Sequence, residues 1–115
     1  MDKETMATTR ADILPGTLEL LILRTLSLGS LHGYAIAQHI QQVSRAVLQV
    51  GEGSLYPALQ RMQVKGWVTS KWTQSPSGRR VRHYSLTAAG RRQLGIEAAE
   101  FERVVQAITR VLQES

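Results

Sequence analysis

Cysteine is absent from the 115 residues, which excludes a disulfide scaffold, a thiolate zinc site and a cysteine nucleophile. Aspartate is nearly absent too. Asp2 and Asp12 are the two in the chain, both near the N-terminus, so paired-carboxylate chemistry is not expected. The three histidines, His32, His39 and His83, have no cysteine or carboxylate at ligand spacing, and no metal site is expected from them. Gly51-x-Gly53 lacks a third glycine at the fingerprint spacing and a following Lys-Ser/Thr pair, so a nucleotide loop is not expected either. The longest apolar stretch, Ile13 to Leu28, is broken by Pro15, Gly16, Glu19 and Arg24. It is short for a bilayer span and has no signal-peptide pattern. These absences predict a cytoplasmic domain with no membrane contact, no cofactor, no catalytic residues and no enzymatic activity.

What is present in excess is positive charge, at +5 net with a pI near 10.2. The excess is local. Between Ile13 and Gly90 the acids are Glu19 and Glu52, against Arg24, Arg45, Arg61, Lys65, Lys71, Arg79, Arg80 and Arg82. From Arg91 to Ser115 four bases balance four acids. An anionic partner is therefore expected for the first ninety residues, and a different task for the tail.

Residues 1–12 are polar and non-periodic, as in a flexible arm. Pro15 suits the first turn of a helix that Gly29 ends, with Leu14, Leu18, Leu21, Ile22 and Leu26 in one stripe and Leu20 and Leu23 beside it. A helix so apolar needs cover on more than one side. Ser30 is placed to cap a second helix from about Leu31 to Arg45, with Ala37, Ile40, Val43 and Val47 on its inner face and Tyr34 in the core. Ala46 to Val50 then reads as extended, and Gly51-Glu52-Gly53 as a turn.

The third helix begins from Ser54 as N-cap with Pro57 at N3, and Leu55, Leu59 and Met62 face inward. Gly66 ends it in a Schellman cap, in which Met62 meets Trp67. Pro57, Gln60, Arg61 and Val64 point outward and Tyr56 stands at the shoulder. Trp67 to Thr73 and Arg79 to Leu86 flank a Pro/Ser/Gly cluster, the pattern of a β-hairpin, and both tryptophans are expected to serve its packing. Thr87 caps a last helix to about Gln113, with Leu94, Ala98, Phe101, Val105, Ile108 and Leu112 in 4-3-4-3-4 spacing.

The order of elements predicts a mainly α fold with a small β-hairpin, a winged helix-turn-helix over residues 13–86, followed by a dimerisation helix over 87–115. An α-helix fits the major groove and a basic hairpin can lie along neighbouring phosphates. Candidate DNA-binding residues are Ser54, Tyr56, Pro57, Gln60, Arg61, Arg79, Arg80 and Arg82. Tyr56 is read as a phosphate donor, with packing against the hairpin base as the alternative. Gln60 suits adenine, and Arg61 guanine or a phosphate.

Three stretches carry a resemblance: LPGTLELLILRTLSLGSLHGYAIAQHI from Leu14 to Ile40, GSLYPALQRMQVKGWV from Gly53 to Val68, and GRRVRHYSLTAAGRR from Gly78 to Arg92. Their Gly-Tyr, Leu-Tyr-Pro-Ala-Leu and Tyr-x-Leu-Thr-x-x-Gly elements resemble, in order and spacing, the PadR family of bacterial transcriptional regulators. The single terminal helix is similar to the short subclass. The resemblance implies a homodimeric repressor on a pseudo-palindromic double-stranded DNA operator. It also implies a small hydrophobic or aromatic effector near the dimer interface, with Leu18, Phe101 and Val105 as candidate lining. The stripe Leu94, Ala98, Phe101, Val105, Ile108 and Leu112 is the expected dimer seam. The competing reading is a helical ligand-carrier or protein-interaction module of the same fold that does not bind DNA.

Overall fold

A computed structural model describes residues 15–114. The expected N-terminal arm, residues 1–12, and Leu14 lie outside the described residues. The elements run α1 (Pro15–Ser27), β1 (Leu31–His32), α2 (Gly33–Val43), α3 (Glu52–Val64), β2 (Val68–Gln74), β3 (Arg80–Leu86) and α4 (Ala88–Gln113). The strands form one antiparallel sheet in the order β1-β3-β2. The hairpin closes as its composition predicts, and β1 is an addition to it. Leu31 and His32 pair with Tyr84 and His83 instead of forming the first turn of α2.

That pairing moves the start of α2. Its N-cap is His32, not Ser30, and the imidazole Nδ1 accepts the Ala35 N–H at 3.3 Å. Ser30 Oγ instead meets Ser85 Oγ at 2.6 Å. With the helix beginning at Gly33, the inward positions are Gly33, Ile36 and Ile40, and Tyr34 turns outward at 61% exposure. The phenol in the core is that of Tyr84.

The far end of α2 also departs from expectation. The N–H of Arg45 bonds Gln42 O at 3.1 Å and that of Ala46 bonds Gln41 O at 2.8 Å, the bond pattern of a Schellman cap. Arg45 and Ala46 take φ of 55° and 65°, so the chain turns in the left-handed region where the helix was expected to reach Arg45 and the chain to extend from Ala46. Because the helix stops at Val43, Val47 leaves its wheel, and both valines are exposed.

Gly51-Glu52-Gly53 is the first turn of α3 rather than a separate turn. Gly51 is its N-cap, with no side-chain bond, and its carbonyl accepts the Leu55 N–H at 2.9 Å. Ser54 is therefore at N3, and Pro57 lies inside the helix, where it cannot donate to Gly53 O. The C-terminus is as expected. Trp67 N–H reaches Met62 O at 2.9 Å, Gly66 N–H reaches Gln63 O at 3.0 Å, and Gly66 takes φ 81° at C′.

One core joins Leu18, Ile22, Leu23 and Leu26 of α1 to Ile36 and Ile40 of α2, Leu55, Ala58, Leu59 and Met62 of α3, and Val68 and Tyr84 of the sheet. The all-round apolarity of α1 is thereby explained, since α2, α3, β3 and α4 all pack against it. Leu23, outside the stripe read from the sequence, is fully buried for that reason. Thr87 fixes the start of α4. Its Oγ1 donates to Gly66 O at 2.7 Å and accepts the Gly90 N–H at 3.0 Å, and its own N–H bonds Trp67 O at 3.0 Å. Gly90 is buried so closely that a Cβ there would overlap the Trp67 carbonyl oxygen. Beyond Glu97 every described residue of α4 is exposed.

Candidate nucleic-acid interface

With Leu55, Ala58, Leu59 and Met62 buried, α3 turns Pro57, Gln60, Arg61 and Val64 away from the core. Beside this face runs the wing, β2 and β3. Strand alternation sends Arg80, Arg82 and Tyr84 to one side of β3 and brings Trp72 opposite Arg82. Between helix and wing lies a cleft of about 450 Å³ lined by Tyr56, Gln60, Gln63, Val64, Arg82 and Tyr84.

Tyr56 occupies the mouth of the cleft at 41% exposure. Its ring covers Gly33, where an added Cβ would lie 2.7 Å from the ring carbon Cε1 and 2.8 Å from the hydroxyl. The glycine of the Gly-Tyr pair leaves room for that ring. Tyr56 thus packs on the start of α2 and still presents a hydroxyl. Partial burial, and then the negative charge of Glu52, hold its phenol above the ordinary tyrosine range, so it remains a hydrogen-bond donor at neutral pH.

Two of the three wing arginines lie against an aromatic ring. Arg80 and Arg82 lie with their guanidinium carbons 4.8 and 5.2 Å from the centre of the Trp72 ring, which is half-exposed. Trp72 is therefore less a core residue than a platform for two cations, while Trp67 does pack against the core. At the wing tip the Arg79 N–H bonds Ser75 Oγ at 3.2 Å, and the Gly78 N–H bonds Ser75 O at 2.8 Å. Arg79 projects from that turn into solvent.

Arg61 stands at the opposite flank of α3 from Tyr56, and its Nε donates to Glu19 Oε2 of α1 at 3.2 Å. Lys65 Nζ is 3.6 Å from Glu19 Oε1. Neither pair was apparent in the sequence, although one acid inside an apolar helix was a visible signal. At the root of the wing the rings of His32 and His83 meet edge to face at 5.9 Å. Among the described residues, no group of three His, Cys, Asp or Glu side chains could hold a metal, and no helix is long and apolar enough to cross a membrane.

The candidate effector residues divide. Leu18 is 2% exposed and belongs to the core, so it cannot line a groove. Phe101 and Val105 do line one, of about 360 Å³ between α1 and α4, where Leu20 and Leu21 take the place expected of Leu18. On the outer part of α4, Phe101, Val105, Ile108 and Leu112 are 40–79% exposed, and Leu94 is partly buried against the core.

A model of the transcriptional regulator PadR-like family matches residues 22–96. The chain belongs to that family. PadR-family proteins are DNA-binding transcriptional regulators rather than enzymes. The PadR-like transcriptional regulator of Bacillus cereus is 28% identical, with a TM-score of 0.76 over 91% of this chain and 100% of that one. A PadR family transcription regulator from Clostridium difficile is 31% identical, with a TM-score of 0.71 over 83% of this chain and 97% of that one. Both share the fold of this chain over those lengths. An uncharacterized protein X of Lysinibacillus sphaericus is 28% identical over 99 residues, 86% of this chain and 91% of that protein. A 37.1 kDa protein in a Streptomyces fradiae transposon is 42% identical over 86 residues, 75% of this chain. The match spans only 23% of that relative's length.

Proposed function

We propose that this PadR-family chain works as a homodimeric cytoplasmic repressor. Residues 13–86 bind an operator, and residues 87–115 supply the pairing helix. The observation that carries the reading is the shared direction of two surfaces. The outward face of α3 and the arginine face of the wing meet at one cleft, with Tyr56, Gln60 and Arg82 on its walls. A helix in the major groove, flanked by a wing on phosphates, uses such a surface. In this arrangement Gln60 and Arg61 read base edges, with Ser54 and Pro57 beside them near the start of the helix. Tyr56, Arg79, Arg80 and Arg82 hold the backbone.

Pairing rests on the outer stripe of α4. Phe101, Val105, Ile108 and Leu112 recur at heptad spacing and stand exposed, and Leu94 and Ala98 continue the row inward. An apolar row of this length is the signature of a subunit contact. Two-fold pairing would set two recognition helices about one DNA turn, ~34 Å, apart and select a pseudo-palindromic operator. A small hydrophobic or aromatic effector would enter the groove between α1 and α4, against Leu20, Leu21 and Phe101.

The test is charge reversal in the wing, Arg80→Glu with Arg82→Glu, measured as duplex affinity against salt. Loss of two phosphate contacts per chain lowers the slope of log affinity on log salt by about 2 per chain and removes most of the binding. A folded double variant with the wild-type slope would refute the wing assignment. A wild-type chain whose interactions are indifferent to salt would favour the carrier or protein-interaction reading.

A further inference from the structure

Glu19 is the only acid in α1, and it is 93% buried, with 7% of its surface exposed. A carboxylate is costly to bury, and it sits beside a helix that must approach polyanionic DNA, so its presence calls for a reason. Its two oxygens face two cations four residues apart, Arg61 in the last turn of α3 and Lys65 at its C-cap. Oε2 accepts from Arg61 Nε at 3.2 Å, and Oε1 lies 3.6 Å from Lys65 Nζ. Lys65 is engaged a second time, with Nζ 4.6 Å from the centre of the Trp67 ring. The ammonium is held against the protein on two sides.

Arg61 is held differently. The bond is to Nε, at the base of the guanidinium; its side chain is 46% exposed, much as that of Lys65 at 47%, so the difference lies in which atom is held. A bond at Nε restrains the group and leaves Nη1 and Nη2 at its tip for a further partner. That pair matches the O6 and N7 acceptors of guanine in the major groove. An unrestrained arginine would swing to the nearest phosphate, a contact that carries no sequence information.

We propose that Glu19 is a positioning residue for base recognition: it orients Arg61 toward a guanine and withholds Lys65 from the DNA backbone. This rests on α3 being the recognition helix. The negative charge beside DNA then has a use, because it exchanges sequence-blind attraction for discrimination at one base pair.

The experiment selects binding sites from a randomised 20-base-pair duplex pool with the full-length chain and with Glu19→Gln. Wild type is expected to enrich a motif with one fixed guanine per half-site. Glu19→Gln is expected to lose about tenfold of the guanine preference at that position alone, the scale of one bidentate base contact. On unselected duplex, its salt slope should steepen by about 1–2 per chain as Arg61 and Lys65 become free for phosphates. Arg61→Ala should erase the same position, and adding Glu19→Gln to it should change that position no further. A role confined to stability would weaken all sequences alike. A folded Glu19→Gln chain that selects the wild-type motif at full strength overturns the proposal.

Should Glu19→Gln not fold, Lys65→Met tests the other half. Its salt slope on unselected duplex should equal the wild-type slope. A decrease of about 0.9 per chain would show that Lys65 already binds phosphate and would overturn the inference. Wild type that binds no duplex would remove the recognition-helix reading itself, and the inference with it.

Discussion

Two glycines on α4 should respond to alanine in opposite directions. At Gly90 an added methyl would overlap the carbonyl oxygen of Trp67 and stand 2.7 Å from Leu86 Cδ1. The oxygen cannot rotate aside, because it already accepts the Thr87 N–H at 3.0 Å and belongs to the link between α3 and β2. Overpacking costs about 1–3 kcal/mol, and a rigid backbone neighbour places this site at the upper end. Exchanging glycine for alanine inside a helix returns about 1 kcal/mol. The balance for Gly90→Ala is a loss of about 2 kcal/mol, or roughly 10 °C in Tm for a domain of this size. At Gly95 a Cβ meets nothing within 4 Å, so Gly95→Ala should gain about 1 kcal/mol, or ~5 °C. Thermal and urea unfolding followed by circular dichroism, at one fixed protein concentration, measures both. A Gly90→Ala chain as stable as wild type would refute the packing argument. Gly95→Ala less stable than wild type would show that a second chain lies against that face.

Phe101→Asp with Ile108→Asp should abolish the pairing proposed for α4 and, with it, tight operator binding. A double variant that sediments as a dimer would move the seam elsewhere. The Tyr56 phenol has a folded pKa above its ordinary value near 10, so its stabilising contribution is intact below pH 10 and is lost as pH rises through the folded pKa. The difference in stability between wild type and Tyr56→Phe should therefore stay constant to pH 10 and change only above it. A change near neutrality would contradict the raised pKa. Arg45→Gly should raise the urea midpoint by the equivalent of about 1 kcal/mol, because glycine takes a φ of 55° without the Cβ penalty.

Local signals were legible wherever the physics is local. Gly66 with Trp67 announced the cap of α3, Thr87 announced α4, and the Ser75-Pro76-Ser77-Gly78 cluster announced the wing turn. Most of the misses are non-local. β1 is two residues whose strand character comes entirely from β3, more than fifty positions later, and its pairing displaced the cap from Ser30 to His32. Tyr34 was placed in the core, but Gly33, Ile36 and Ile40 take the inner face of α2 and leave Tyr34 outside it. Ser54 was read as the N-cap on side-chain chemistry and Gly51-Glu52-Gly53 as a turn, yet α3 starts at Glu52 with Gly51 as a cap that makes no side-chain bond. In the candidate interface, the outward face of α3 and the wing arginines could be read from period and charge. The Trp72 platform, the seat of Tyr56 on Gly33 and the Glu19 pairs could not, because each joins elements whose approach is set by the core.

The bonds of Thr87 have a mechanical meaning. One side chain bonds the end of α3 and the head of α4 together, so in the proposed DNA-bound dimer these two elements would move as one lever with its pivot at residues 66–90. The free arm of that lever is α4, 26 residues in one unbroken helix, about 39 Å at 1.5 Å per residue. For two chains joined along their outer arms, a tilt of about 5° displaces the other end by ~3 Å over that length. That is close to the ~3.4 Å axial rise per base pair of the duplex. A molecule that wedges α1 away from α4 by a few degrees would thus carry both reading heads out of register by one base pair, without altering a single residue that faces the DNA.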